Sequence, residues 1–411
     1  MTTTRTPEQL AALDKRCVWH PFTQMQDYNR MAPMIVARGD GVKLIDVDGR
    51  EYWDSISSLW VNVHGHRVPE IDAAIRAQLD CIAHSTLLGH ANVPSIELAA
   101  RLVEITPPGL EKVFYSDSGS EAVEIGLKIA CQYWRHRGED RRLFIKMAEA
   151  YHGDTIGSVS VGGMDLFHTT YAPLLFPTVT VPYPHAFRYA GTPAACAEHC
   201  LAELDRALAA HADDAIGVIV EPLVQGAAGM IMMPPGFLAA MAARCREAGV
   251  LLLTDEVATG FGRTGRMFAC EHEDVQPDIL MTAKGLTGGY LPLAATLTTD
   301  EIYDAFLGAY AEKKTFFHGH SYTGNQLGAA AALANIELFQ ANDLLADVRR
   351  KAEGLRADLR RFRELAHVGD VRQCGFMVGI ELMRDPAAMV DYDWDEQMAV
   401  KVGYRCRELG M

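Results

Sequence analysis

The chain has no apolar run near the roughly 18 uncharged residues of a membrane-spanning helix, so no span is expected in it. Positive charge is scarce. Its 38 Lys and Arg stand against 53 Asp and Glu, a formal net charge of -15, the wrong sign for a general binder of nucleic-acid phosphates. The nine cysteines include no C-x-x-C pair, and an odd number of isolated thiols argues for a reducing compartment rather than a disulfide framework. The two nearest, Cys196 and Cys200 around His199, lie in an alanine-rich stretch without a fourth ligand, so they read as packing or surface positions and not as a metal site. The opening MTTTRTPEQL lacks the apolar core of a secretory signal. Even allowing for removal of an upstream segment, the expected location is cytoplasmic. There is no internal repeat, and no low-complexity tract beyond an alanine bias.

What is present is an enzyme-like chain of 411 residues, 49% hydrophobic and 22% charged. At about 100 to 200 residues per domain, that length suggests one large domain with a smaller attachment. Between about 113 and 299, the short apolar runs VFYS, LFIKM, TVTV, IGVIV, VLLLT, DILMTA and AATLTT alternate with helical segments. This is the rhythm of an α/β fold around a mostly parallel sheet. Before it, GVKLIDVDGREYWD reads as a hairpin turning at Asp48-Gly49. After Asn325 come two long helices, from Gln326 to about Asn342 and from Leu344 to about Arg363, and then VGDVRQCGFMVGIELM as strands of a small C-terminal lobe.

Four places have the means for chemistry. At SDSGSEAVEIGLKIACQYW a strand meets an amphipathic helix through Ser118, Gly119 and Ser120, a junction whose free amides and helix dipole suit a phosphate. Taken alone, a plain helix cap explains those serines better. After VLLLT, Asp255 stands at the carboxyl edge of the sheet, where α/β folds place ligands, and it suits a buried counter-ion to a protonated ring nitrogen. A capping or surface acid is the commoner use of such a position. The nearby Gly260, Gly262 and Gly265 lack the context of a dinucleotide fingerprint. Lys284 follows the apolar ILMTA and is the one charged residue between Ile279 and Thr299. Most lysines are solvated, but apolar walls and a neighbouring cationic ring lower a lysine's pKa toward that of a reactive amine. Finally, Tyr151-His152-Gly153-Asp154 offers a ring to lie against a flat ligand and an acid to order the loop, although a turn tyrosine with a capping aspartate is about as common.

These four motifs, in this order, resemble the class III aminotransferases along essentially the whole chain. The resemblance implies a fold-type I, pyridoxal 5'-phosphate (PLP) dependent transferase, with a mostly parallel seven-stranded sheet and a small domain built from both chain ends. The expected divisions are 1–70 as an N-terminal segment, 71–325 as the large PLP-binding domain and 326–411 as the C-terminal small domain. Lys284 would be the Schiff-base lysine, Asp255 would pair with the pyridine nitrogen, and Ser118, Gly119 and Ser120 would hold the phosphate. Tyr151 would stack on the ring, with His152, Glu221 and Val257 around it. Ser321, in FFHGHSYTGN, falls where the family reaches the phosphate from the other subunit, with His320 beside it among the cofactor-binding residues, which implies a homodimer with shared active sites.

Within the class, WHPFTQM, SSLWVNVHGH, YHGDT, VQGAAGM and ACEHEDVQPDIL resemble the branch that aminates 8-amino-7-oxononanoate in biotin biosynthesis. Phe22, Leu59, Trp60, Tyr151 and Gly319 would then line its substrate pocket. Members using adenosylmethionine usually carry Tyr in place of Phe22 and Trp in place of Leu59, and both replacements resemble members that take the amino group from lysine. Members also continue beyond RCRELGM with an arginine-bearing strand for the substrate carboxylate, so either the chain is cut short at Met411, which is the expectation, or it binds that carboxylate differently. Alternative activities are those of another ω-aminotransferase of the class, acting on a diamine, a β-amino acid or taurine, or of a non-catalytic PLP-binding relative.

Overall fold

Each of the seven apolar runs becomes a strand of one sheet in the computed structural model, which describes residues 5–411. The first four residues, where the N-terminal reading begins, lie outside the described residues. The strands are β1 (Lys112–Ser116), β2 (Leu143–Met147), β3 (Thr178–Val181), β4 (Ala215–Val220), β5 (Leu251–Asp255), β6 (Ile279–Thr282) and β7 (Ala294–Thr298). They lie in the order β1-β7-β6-β5-β4-β2-β3. Only β7 runs antiparallel to its neighbours; the other pairs are parallel.

The runs lack a polar alternation because both faces of the sheet are covered. Successive side chains alternate between two cores. Ile145, Val218, Val220 and Leu252 point to one, packed under α2 (Pro193–Ala210) and α3 (Phe237–Ala248). Phe144, Ile219, Leu251 and Leu253 point to the other, packed under α1 (Gly119–His136). Cys196 and Cys200 of α2 are buried in the first of these cores, and His199 stacks on Tyr189.

Helix α4 (Gln326–Ala341) was grouped by its sequence with the C-terminal segment, and it packs on the helices Pro69–Cys81 and Val93–Ile105 of the segment before it. The N-terminal strands Val36–Asp40, Lys43–Asp46 and Glu51–Trp53 form a small antiparallel sheet. Its second hairpin turns at Asp48-Gly49, where Gly49 has φ 83° and Asp46 Oδ1 accepts the Asp48 and Arg50 amides. A second small sheet spans Val368–Cys374, Met377–Asp385 and Val390–Asp391. Among the described residues, no helix is long and apolar enough to cross a membrane.

Candidate active site

The parallel strands deliver their last residues to one edge of the sheet, where a cavity of about 700 Å³ opens. β5 ends on Asp255, and its neighbour β6 pairs Met281 with Asp255, so Lys284 emerges beside that carboxylate. The chain turns sharply there, with Lys284 at φ 45° and Gly288 at φ 63°. Of the site residues expected from sequence, Phe22, Leu59, Trp60, Ser118, Gly119, Ser120, Tyr151, His152, Glu221, Asp255, Val257 and Lys284 all line this cavity. Gly319, His320 and Ser321 do not line it within one chain. His320 Nε2 stands at the rim, 3.0 Å from Asp117 Oδ2, while Ser321 is exposed and its carbonyl accepts from His84 Nε2 at 2.8 Å.

Of the adjacent acids Asp255 and Glu256, only the first faces the cavity. Glu256 turns into the protein, where its carboxylate accepts the amides of Ala269 and Cys270 at 3.0 and 2.9 Å and ties down the following loop. Asp255 Oδ2 lies 2.7 Å from His152 Nδ1, with both side chains buried, and Oδ1 accepts the Val257 amide at 3.0 Å. His152 lines the cavity, as expected of a residue beside the ligand, and its Nδ1 is turned to Asp255. Two contacts thus fix how the carboxylate points into the cavity.

Lys284 Nζ sits 4.9 Å from the Trp60 ring centre. Burial pulls its pKa below the usual lysine value, opposed by Asp255 and Glu221, so the amine loses its proton more readily than a surface lysine. Tyr151 donates its hydroxyl to Asp154 Oδ2 at 2.7 Å, and burial together with that bond raises the phenol's pKa, keeping it protonated. The ring is flanked by Phe167, centroids 6.2 Å apart, and Phe167 meets Phe22 edge-on at 5.2 Å. Phe167 escaped sequence reasoning because DLFH carries no motif; only the path of the chain brings it to the cavity.

Glu221 accepts the Tyr151 amide at 3.0 Å and the Gly226 amide at 2.9 Å. Burial pushes its carboxyl from an ordinary 4.5 up to about 7. The folded chain therefore holds a proton that the unfolded chain has released, and between those two values stability falls as pH rises. In Glu221→Gln this titration is gone, so melting temperatures measured between about pH 5 and 7 should lose that part of their decline. An identical slope in both proteins would contradict the assignment.

The first turn of α1 has the form of an anion cradle. Ser118 Oγ accepts the Glu121 amide at 3.3 Å, and Glu121 Oε2 accepts the amides of Asp117 and Ser118 at 2.8 and 3.0 Å. This reciprocal cap, the plainer use foreseen for Ser118, leaves the Gly119 and Ser120 amides without an internal partner among the described residues. The backbone is bare by necessity. A Cβ on Gly119 would stand 2.6 Å from Val257 Cγ1, and one on Gly153 would stand 2.0 Å from Ser120 Oγ. Free amides at a helix start, a buried carboxylate and a desolvated lysine on one apolar cavity are the donor set that a phosphorylated, ring-nitrogen cofactor requires.

The wall opposite is formed by an unusual segment. Ser57, Ser58, Leu59 and Trp60 have φ of 51°, 49°, 66° and 67°, one turn of left-handed helix without a glycine. Such residues cost roughly 1 to 2 kcal/mol each, so the turn persists only where its surroundings hold it.

Comparison with known proteins agrees with this geometry. A family model described as aminotransferase class-III matches residues 24–410. Adenosylmethionine-8-amino-7-oxononanoate aminotransferase of Anoxybacillus flavithermus is 54% identical over 97% of this chain and 88% of its own length. The protein of that name from Geobacter sulfurreducens is 51% identical over 97% of this chain and 89% of its own. The crystal structure of adenosylmethionine-8-amino-7-oxononanoate aminotransferase from Methanocaldococcus jannaschii superposes with a TM-score of 0.94 at 47% identity, covering 98% of this chain and 91% of that one. An (S)-enantioselective omega-transaminase from Thermomicrobium roseum gives 0.95 at 33% identity, over 99% and 91%. With these likenesses running along almost its whole length, the chain belongs to the class III aminotransferases, which are PLP-dependent transaminases.

Proposed function

We propose that this aminotransferase converts 8-amino-7-oxononanoate to 7,8-diaminononanoate in biotin biosynthesis, with lysine or adenosylmethionine as amino donor. The observation that carries this reading is the origin of the cavity wall. The two segments singled out for that branch of the class, Trp19–Met25 and Ser57–His66, supply Phe22, Leu59 and Trp60 to it. The relatives' names point the same way.

When bound, PLP supplies an electron sink for the carbon that loses a proton. The remaining roles belong to the chain. Lys284 holds the cofactor and, with its pKa lowered by burial, takes up and returns a proton at Nζ. Asp255, oriented by His152, keeps a ring nitrogen protonated. Gly119 and Ser120 present their amides to the phosphate, and Val257 and Tyr151 confine the ring.

Phe22 has no hydroxyl and Leu59 no ring to offer a sulfonium and an adenine. Lysine, a smaller linear amine, loses less from both replacements. Half-reactions of the PLP-loaded enzyme, followed by the cofactor's visible absorption, should therefore run faster with lysine than with adenosylmethionine. Rapid conversion by adenosylmethionine and none by lysine would refute the lysine donor, and conversion by neither, with turnover of a diamine or taurine, would refute the substrate class.

A homodimer completes this reading. Gly319, His320 and Ser321 lie outside the cavity of their own chain, and uncovered apolar side chains at Tyr310 and Phe317 lie near them in sequence. Ser321 of a second copy is then free to reach the phosphate. Sedimentation of the holoenzyme should return twice the chain mass. All nine cysteines are unpaired, which supports a cytoplasmic location.

A further inference from the structure

The left-handed turn that carries Leu59 and Trp60 is held by a buried carboxylate. Asp54 Oδ1 accepts the Ser58 amide at 2.8 Å, and its Oδ2 accepts the Ser58 hydroxyl at 2.7 Å and His66 Nε2 at 2.9 Å. The Asp54 side chain is only 4% exposed. His66 is itself set by its neighbours. Asn62 Oδ1 accepts the Gly65 amide at 2.7 Å, which turns Asn62 Nδ2 toward His66 Nδ1 at 3.2 Å. Nδ1 is therefore an acceptor, and the ring's N–H is at Nε2, facing Asp54. The ring is wedged against Gly39, where a Cβ would come within 2.6 Å of it. At the far end of the turn, Arg263 donates to the Asn62 carbonyl at 2.6 Å.

Three donors converge on Asp54, and a carboxylate is the side chain of that size that accepts them all. Four successive left-handed residues without glycine relax elsewhere unless they are held. The turn sets Leu59 and Trp60 on the cavity wall, with Trp60 over Lys284. We propose that Asp54 is a positioning residue for the amine pocket: locked by His66 and Asn62, it holds the turn Ser57–Trp60 so that Leu59 and Trp60 form the wall that sets substrate affinity. The proposal rests on the reading of this cavity as the amine site.

The test uses the full-length PLP-loaded enzyme. Asp54→Asn brings an amide N–H to a place where only donors arrive. KM for the amino donor and for the acceptor should rise about tenfold while kcat stays within about threefold, the pattern of lost binding rather than lost chemistry. Hydrogen exchange at the amides of Ser58 to Asn62 should quicken about tenfold or more. Adding Ser58→Gly to that variant should recover most of the KM, because glycine takes a positive φ freely; a contribution of Asp54 to stability alone would not be rescued this way. Unchanged KM and exchange in Asp54→Asn overturn the proposal, as does a loss of kcat and cofactor occupancy with KM unchanged. If Asp54→Asn does not fold, Ser58→Ala removes one of the three bonds, and the same rise in KM and exchange is expected in smaller measure; its absence overturns the proposal. If the unaltered enzyme turns over neither proposed substrate, the functional reading fails, while the exchange rates of the turn still decide the role of Asp54.

Discussion

Lys284→Ala should lower transamination by on the order of 10⁴-fold or more, the upper range for loss of a positioned proton-transfer group, here compounded by loss of the cofactor's covalent hold. Lys284 is the one lysine lining the cavity, and the histidine beside Asp255, His152, has its Nδ1 engaged by that carboxylate. The remaining contacts do not depend on it. The Gly119 and Ser120 amides and the Asp255 carboxylate stay in position, so the variant should still retain PLP, more loosely and with an altered visible spectrum. Removing a desolvated amine from an apolar wall relieves a burial cost, so the melting temperature should not fall steeply. Single-turnover measurements with excess donor amine would check this. Turnover near that of the unaltered enzyme would end the assignment of Lys284.

Asp255→Asn separates charge from shape. The amide oxygen can still accept the Val257 amide, and the amide nitrogen can donate to His152 Nδ1 once that nitrogen becomes the acceptor. Geometry is therefore conserved, and what disappears is the negative charge that keeps a ring nitrogen protonated. Losing a preorganised electrostatic partner of this kind costs about 10² to 10³ in rate. Cofactor occupancy should change far less, because the phosphate cradle is untouched. The comparison of kcat with PLP affinity in this variant is the relevant measurement, and a rate within a fewfold of the unaltered enzyme would remove Asp255 from the mechanism.

The parts of this molecule legible in its sequence are those where burial leaves a local mark. Strands covered on both faces must be apolar throughout, so IGVIV and VLLLT announced themselves, and a charge that survives at the end of such a strand stands out. Asp255 and Lys284 were visible on that ground, and parallel neighbours in a sheet must bring their carboxyl ends to one edge. The helix start at Ser118 was equally local: its cap lies within four residues. The family resemblance then added the roles.

Other features depend on contacts that leave no trace in a single sequence. His152 meets Asp255 across 103 positions, and Phe167 reaches Tyr151 and Phe22 only through the course of the chain. The turn Ser57–Trp60 contains no glycine to advertise its positive φ; its conformation follows from Asp54, His66 and Arg263, the last more than two hundred residues away. By itself the sequence determined the α/β sheet and marked Asp255 and Lys284 as charges at the ends of buried strands, since both follow from where apolar and charged residues sit along the chain. Only the tertiary structure decided which way the carboxylate points, what walls the cavity and which residues hold a strained turn, because directional polar contacts between distant segments exist only once the backbone has brought them together.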